Sequence, residues 1–133
     1  MQESKSKFTG VVDHIAIKSV DVTADAREYE RLGFHVESEY SDWAMLRDAH
    51  GFGVALLGPG SKHPPHLGVR VETREALELA AAREGRVLRE HRDRSVSFYT
   101  KGPGQAVEVI YYPPDFGAAS GGEASEEPAL GKR

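Results

Sequence analysis

The chain has 133 residues, enough for one domain that buries its own core without staples. Its 21 acidic and 17 basic residues leave a net charge of −4, which argues against nucleic acid or an anionic membrane as partner. It has no cysteine, which excludes disulfides, thiolate metal sites and cysteine nucleophiles. With a polar start, MQESKSKFTG, and no apolar run as long as a membrane span, the expectation is a cytoplasmic protein.

Residues 1–7 are polar and are expected to be flexible. Phe8 to Ser19 alternates apolar and polar and predicts a strand; Asp21 to Leu32 predicts a helix, with Val22, Ala26 and Tyr29 on one stripe and Gly33 as its stop. Phe34–Tyr40, Trp43–Arg47 and Phe52–Leu57 predict three strands. The run from Gly58 to Pro65 is a linker, and then the order recurs. His66–Val71 predicts a strand and Thr73–Glu84 a helix, followed by strands at Arg86–His91, Ser95–Thr100 and Ala106–Tyr112. From residue 116 to 133 the chain is small, polar and aperiodic, and a disordered tail is expected.

The two halves repeat. Asp13-His14-Ile15-Ala16-Ile17-Lys18 and Pro65-His66-Leu67-Gly68-Val69-Arg70 share one pattern at an offset of 52 residues. The same offset relates Asp21 to Thr73 and Gly33 to Gly85; one residue more relates Gly53–Leu57 to Ala106–Ile110. A period of this length over several elements marks a duplicated unit. The fold class is therefore α+β, with two βαβββ modules, residues 8–60 and 61–115, in one domain.

Strand alternation sorts the side chains into two faces. One parity is wholly apolar (Ile15, Ile17, Ala44, Leu46, Val54, Leu56, Leu67, Val69, Val71, Val96, Phe98, Val107, Val109) and should pack under the helices. The other mixes small residues with ionisable and aromatic ones: His14, His66, Glu108, Trp43, Arg47, Arg70, Ser97, Tyr99 and Tyr112 among them. That composition suits a concave pocket better than a solvated face. Two histidines and a glutamate share it, a 2-His-1-carboxylate set able to bind divalent Fe, Mn, Zn, Ni or Co with positions left open. Alternatively, Glu108 pairs with Arg70 or faces water, and both histidines are merely part-buried.

His14 in DHIAI, His66 in PPHLGV and Glu108 in GPGQAVEVIYYP, within paired βαβββ modules, resemble the vicinal oxygen chelate superfamily from about Phe8 to Pro114. Glyoxalase I, methylmalonyl-CoA epimerase, extradiol dioxygenases, fosfomycin-modifying enzymes and bleomycin-binding proteins belong to it. The resemblance implies a cup-shaped sheet around one divalent metal held by His14, His66 and Glu108, and a small substrate that chelates it through adjacent oxygens. A cup built from few strands leaves edges and an apolar rim exposed, so a homodimer is expected; the resemblance implies modules either paired within a chain or exchanged between chains.

Departures narrow the activity. Ala55 stands where glyoxalase I and the epimerase resemble each other in having a fourth ligand, Ala16 where fosfomycin enzymes have a Thr, and Asp115-Phe116-Gly117 where they have an Arg. A dioxygenase-like enzyme is preferred to a lyase or isomerase. The alternative is a metal-free drug-binding protein of the bleomycin-resistance type. Extradiol dioxygenases have a further His and Tyr near the metal, so His91 and Tyr99 are the catalytic candidates. Trp43, Arg47, Arg70 and Tyr112 are the substrate-binding candidates, and His63 could line the pocket mouth.

Overall fold

The structure, a computed structural model, describes residues 10–116. The helix N-caps matched by the repeat do the same work in both halves. Asp21 and Thr73 each cap a helix, their side chains accepting from the backbone N–H of Ala24 and Ala76 at 3.0 Å. The helices are α1, Val22–Arg31, and α2, Arg74–Glu84. Around them run β1 (Val11–Lys18), β2 (His35–Tyr40), β3 (Trp43–Arg47), β4 (Gly53–Leu57), β5 (His66–Arg70), β6 (Arg89–Glu90), β7 (Val96–Lys101) and β8 (Ala106–Tyr111).

All eight strands form one curled sheet in the order β2-β3-β4-β1-β5-β8-β7-β6. In each half the first strand pairs parallel with the last, β1 with β4 and β5 with β8. The halves join antiparallel through β1 and β5, so the modules pair within one chain. The sheet's two ends come together at the rim, where the Arg92 guanidinium lies 3.7 Å from the centre of the Tyr40 ring.

The apolar parity packs beneath the helices as two clusters. Val22 and Ala26 of α1 meet Ala44, Leu46, Val54 and Leu56; Leu77, Ala80 and Ala81 of α2 meet Val71, Val96, Phe98 and Val109. Each large side chain so buried contributes roughly 1.5–3 kcal/mol. Leu67 and Val69 are only half-buried. They sit on β5, at the junction of the halves.

Two expectations change. The strand expected over Arg86–His91 shrinks to Arg89–Glu90. Gly85 takes the left-handed conformation (φ 67°), and Arg86 N–H bonds back to the Ala81 carbonyl, a helix-ending motif that uses the residues where a strand would start. Helix α1 ends on Leu32 in right-handed geometry, one residue before Gly33 (φ 109°). The expected flexible stretch 1–7, the first two residues of the strand expected from Phe8, and all of the expected tail except Phe116 lie outside the described residues. Among the described residues no helix is long and apolar enough to cross a membrane.

Candidate metal centre

Sheet register assembles the site. One row of residues crosses six strands: Arg47, Gly53, His14, Gly68, Glu108 and Tyr99. His66 lies two rows along, on the same face, opposite Ala16. Glycines flank His14 because its ring lies across the sheet. A Cβ at Gly68 would stand 2.1 Å from His14 Cε1; one at Gly53 would stand 2.8 Å from an Arg47 nitrogen and 3.0 Å from His14 Cβ. Neither site can carry a side chain without moving its neighbours.

The ring of His14 thereby reaches Glu108 and His66. His14 Nε2 lies 3.1 Å from His66 Nε2 and 3.3 Å from Glu108 Oε1, and His66 Nε2 lies 3.1 Å from the same oxygen. All three side chains are at most 6% exposed. The far side of each ring fixes its tautomer. His66 Nδ1 is 2.7 Å from the Pro64 carbonyl, which can only accept, so Nδ1 carries the hydrogen and Nε2 a bare lone pair. His14 Nδ1 donates in the same way to Asp13 Oδ2 at 2.7 Å.

Acceptor atoms this close in a buried site need positive charge between them, supplied by a proton on one imidazole or by a metal ion that displaces it. A divalent ion bonded to N and O at about 2.0–2.2 Å, at angles between the octahedral and tetrahedral values, separates its donors by roughly 2.9–3.5 Å. The observed 3.1–3.3 Å fits that separation. His14, His66 and Glu108 thus form a cluster able to coordinate one divalent metal ion. Arg70, the alternative partner for Glu108, instead reaches Asp13 and Glu72.

Electrostatics agree. Burial works against an ionised Glu108, yet its bonds to His14 and His66 hold the carboxyl well below its ordinary value. Burial also opposes a charged His14, but hydrogen bonds to Asp13 and Glu108 push it up to about 9. The site is built to hold positive charge. Glu108 divides its oxygens: Oε1 faces the histidines, and Oε2 accepts from Ser97 Oγ at 2.7 Å. With that hydroxyl hydrogen used, His91 Nε2 donates to Ser97 Oγ, also at 2.7 Å.

Asp13 is a site residue that alternation hides. It precedes His14 and should point the other way, but the register between β1 and β5 shifts between Val12 and His14. Such a bulge re-aims side chains. Asp13, 5% exposed, therefore accepts from His14, from Tyr112 OH at 2.8 Å and from Arg47 Nη1 at 3.1 Å, with Arg70 at 3.4 Å. Burial opposes its charge, but these partners hold its carboxyl below the usual range. Arg47 and Arg70 thus stand on Asp13, outside the set of residues that line the pocket.

That pocket opens above the triad. Trp43, Met45 and Ala55 form an apolar wall from the first module; Ser95, Tyr99 and Ile110 face them from the second. Trp43 and Tyr112 line it, as do His91, Tyr99 and His63. Tyr99 sets its ring edge-on to His66, 5.0 Å between centroids, and its hydroxyl lies 3.0 Å from His63 Nδ1.

No protein-family model matches this chain, and no curated protein does. Solved structures do. Homoprotocatechuate 2,3-dioxygenase from Brevibacterium fuscum matches with a TM-score of 0.57 and 19% identity, over 74% of this chain and 37% of that one. For 2,2',3-trihydroxybiphenyl 1,2-dioxygenase from Sphingomonas wittichii the values are 0.50 and 24%, over 75% and 41%. A glyoxalase/bleomycin resistance protein/dioxygenase superfamily member from Vibrio splendidus matches at 0.50 and 18%, over 77% of this chain and 98% of that one. The chain has the vicinal oxygen chelate fold. It spans about two fifths of the length of the two dioxygenases.

Within this fold, Ala55 occupies the position that the repeat matches to Glu108, and its methyl group cannot ligate. It lines the pocket beside the triad, 1% exposed. Sequence reasoning missed Asp13, and it missed Arg92 and Tyr40, which close the rim. Those two stand in or beside turns, where alternation carries no information.

Proposed function

We propose that the protein is a divalent-metal-dependent enzyme of the glyoxalase/dioxygenase type, acting on a small substrate that chelates the metal through adjacent oxygens. The convergence of three metal-ligating atoms, from His14, His66 and Glu108, carries this reading. A divalent ion there would supply Lewis-acid charge and open positions for two substrate oxygens. Ring-opening dioxygenation is preferred to lyase or isomerase chemistry, because Ala55 leaves only three protein ligands. That reaction breaks one ring C–C bond and places both atoms of dioxygen in the product, so it needs no external reductant. The matched dioxygenases are named for, or held with, trihydroxybiphenyl and 3,4-dihydroxyphenylacetate, both of which carry adjacent hydroxyls.

The chain's own residues have distinct roles in this reading. Trp43 and Met45 offer an apolar wall to an aromatic ring. Chelation by a catechol releases hydroxyl protons, and an acceptor must stand within reach. Tyr99 with His63, and His91, are the groups on the opposite wall that hold or move them. Asp13 and Ser97 orient His14 and Glu108 from behind. A homodimer and a cytoplasmic location complete the reading; Val11 and Val12, 47% and 53% exposed, offer apolar surface for a partner copy.

Metal analysis of purified protein, followed by oxygen uptake with Fe(II) against a panel of catechols and turnover of thiol hemiacetals with Ni(II) or Zn(II), tests the proposal. Near-stoichiometric metal and catechol-dependent oxygen uptake are expected. Protein that arrives metal-free, refuses divalent ions in calorimetry and still binds a bulky cationic drug would establish the bleomycin-resistance alternative instead.

A further inference from the structure

We propose that Ser97 reserves one oxygen of Glu108, so that the carboxylate gives the metal a single donor and the site keeps a position that a chelating carboxylate would fill. The inference rests on the metal-chelate reading of the same pocket and concerns what that pocket has room for. Adjacent substrate oxygens take two positions on an ion. A second reactant beside them needs a third, and three single-atom protein donors leave it open on a six-coordinate ion. A glutamate bound through both oxygens would close it.

Glu108 is placed for the open arrangement. Its Oε1 lies 3.3 and 3.1 Å from the two imidazole Nε2 atoms, and its Oε2 accepts from Ser97 Oγ at 2.7 Å. An O–H···O⁻ bond of this length is of the strong, charge-assisted kind. It joins residues only 1% and 4% exposed, so water cannot stand in for the hydroxyl. Deprived of that donor, a buried carboxylate oxygen would turn to the nearest positive charge or N–H, which is the ion or His91. The hydroxyl is itself held in place. His91 Nε2 donates to it at 2.7 Å, which leaves the Ser97 hydrogen to point at Glu108.

Strand register puts a short side chain at this spot. Tyr99 faces Glu108 across the ladder between β7 and β8, and Ser97 faces Ile110, so Ser97 stands one diagonal step from the carboxylate on the same face. In the first half Met45 faces Ala55 and Trp43 faces Leu57, so the same step is taken by Trp43. The half that carries the carboxylate has a small hydroxyl residue there, and the half that carries Ala55 has an apolar wall. Ser97 is thus a positioning residue, acting on the metal site through Glu108.

Water-proton relaxation of the Mn(II)-loaded protein counts the exchangeable waters on the ion. His91 Nε2, 3.6 Å from Oε2, could replace a lost hydroxyl. The test variant is therefore the pair Ser97→Ala with His91→Phe, and His91→Phe alone is its control. About three waters are expected in the wild type and the control, and about two in the pair, with Mn(II) affinity held or raised. Ser97→Thr with His91→Phe keeps the hydroxyl and should return the count to about three. About two waters already in the wild type, a control or a Thr variant that falls like the pair, or a pair that keeps about three would overturn the proposal. So would a pair that binds Mn(II) about tenfold more weakly, the ordinary cost of losing a group behind a ligand, since Oε2 would then have gained no bond to the ion. Wild-type protein that takes up no divalent ion would instead remove the metal reading, and this proposal with it.

Discussion

Gly68→Ala adds one methyl group at the tightest point of the site. The new Cβ would lie 2.1 Å from His14 Cε1 and 2.4 Å from both ring nitrogens, where ordinary contact begins near 3.4 Å. The ring must therefore retreat by about 1.3 Å, against a tolerance of about 0.2 Å in a metal–donor bond. The backbone of Gly68 cannot yield instead, because β5 is paired on both sides, with His14 and with Glu108. The expected outcome is loss of His14 as a ligand, a drop in affinity for Zn(II) or Co(II) of at least the ~100-fold that bounds changes behind the ligands. Overpacking of roughly 1–3 kcal/mol should leave a folded protein. Calorimetric metal titration gives the first quantity and thermal melting of the metal-free protein the second. A folded variant that binds metal within threefold of wild type would refute the packing argument and with it the placement of the His14 ring.

His14, pushed up to about 9, is protonated at neutral pH in the metal-free protein, so an incoming ion must displace that proton. Apparent metal affinity should rise about tenfold per pH unit from 7 to about 9 and then level off, with about one proton released at pH 7 in calorimetry run across buffers of different ionisation enthalpy; a flat profile would contradict the charge assignment. The same shift lies above the ordinary 6.5, so in the metal-free protein its contribution to stability is complete below pH 6.5 and fades as pH climbs through about 9, by about 3 kcal/mol; melting temperatures across that range check it. Asp13→Asn keeps the size but removes the charge facing His14 Nδ1, and should weaken metal binding 10–100-fold without unfolding the sheet; unchanged affinity would mean that the ring is held by Gly68 and Glu108 alone.

Much of this was legible in the sequence because the period of two is rigid in a strand. Once His14 and His66 were matched by the repeat, alternation carried both to the face of Glu108, and the structure places the three donors together. Alternation fails wherever the ladder is interrupted. A bulge turned Asp13 onto the face of its neighbour, and so drew Arg47 and Arg70 to a carboxylate that pattern reading had set on the other side. A helix cap at Gly85 and Arg86 cut β6 to two residues, since the cap bonds compete with strand pairing. Arg92 was invisible for a third reason: its place at the rim depends on the curl of the whole sheet, which brings opposite ends of the chain's topology together.

The duplicated scaffold relates Ala55 on β4 to Glu108 on β8, and a site that kept its symmetry would set a carboxylate on either flank. A methyl group on one flank makes the two halves unequal. One side bears charge and hydroxyls; the other is a dry surface of Ala16, Met45, Ala55 and Leu57. A symmetric cup would accept an elongated guest in two equivalent orientations. In the proposed chelate, unequal flanks would tell head from tail before any reaction begins, and a side chain absent from one module would give a repeated structure a direction of entry.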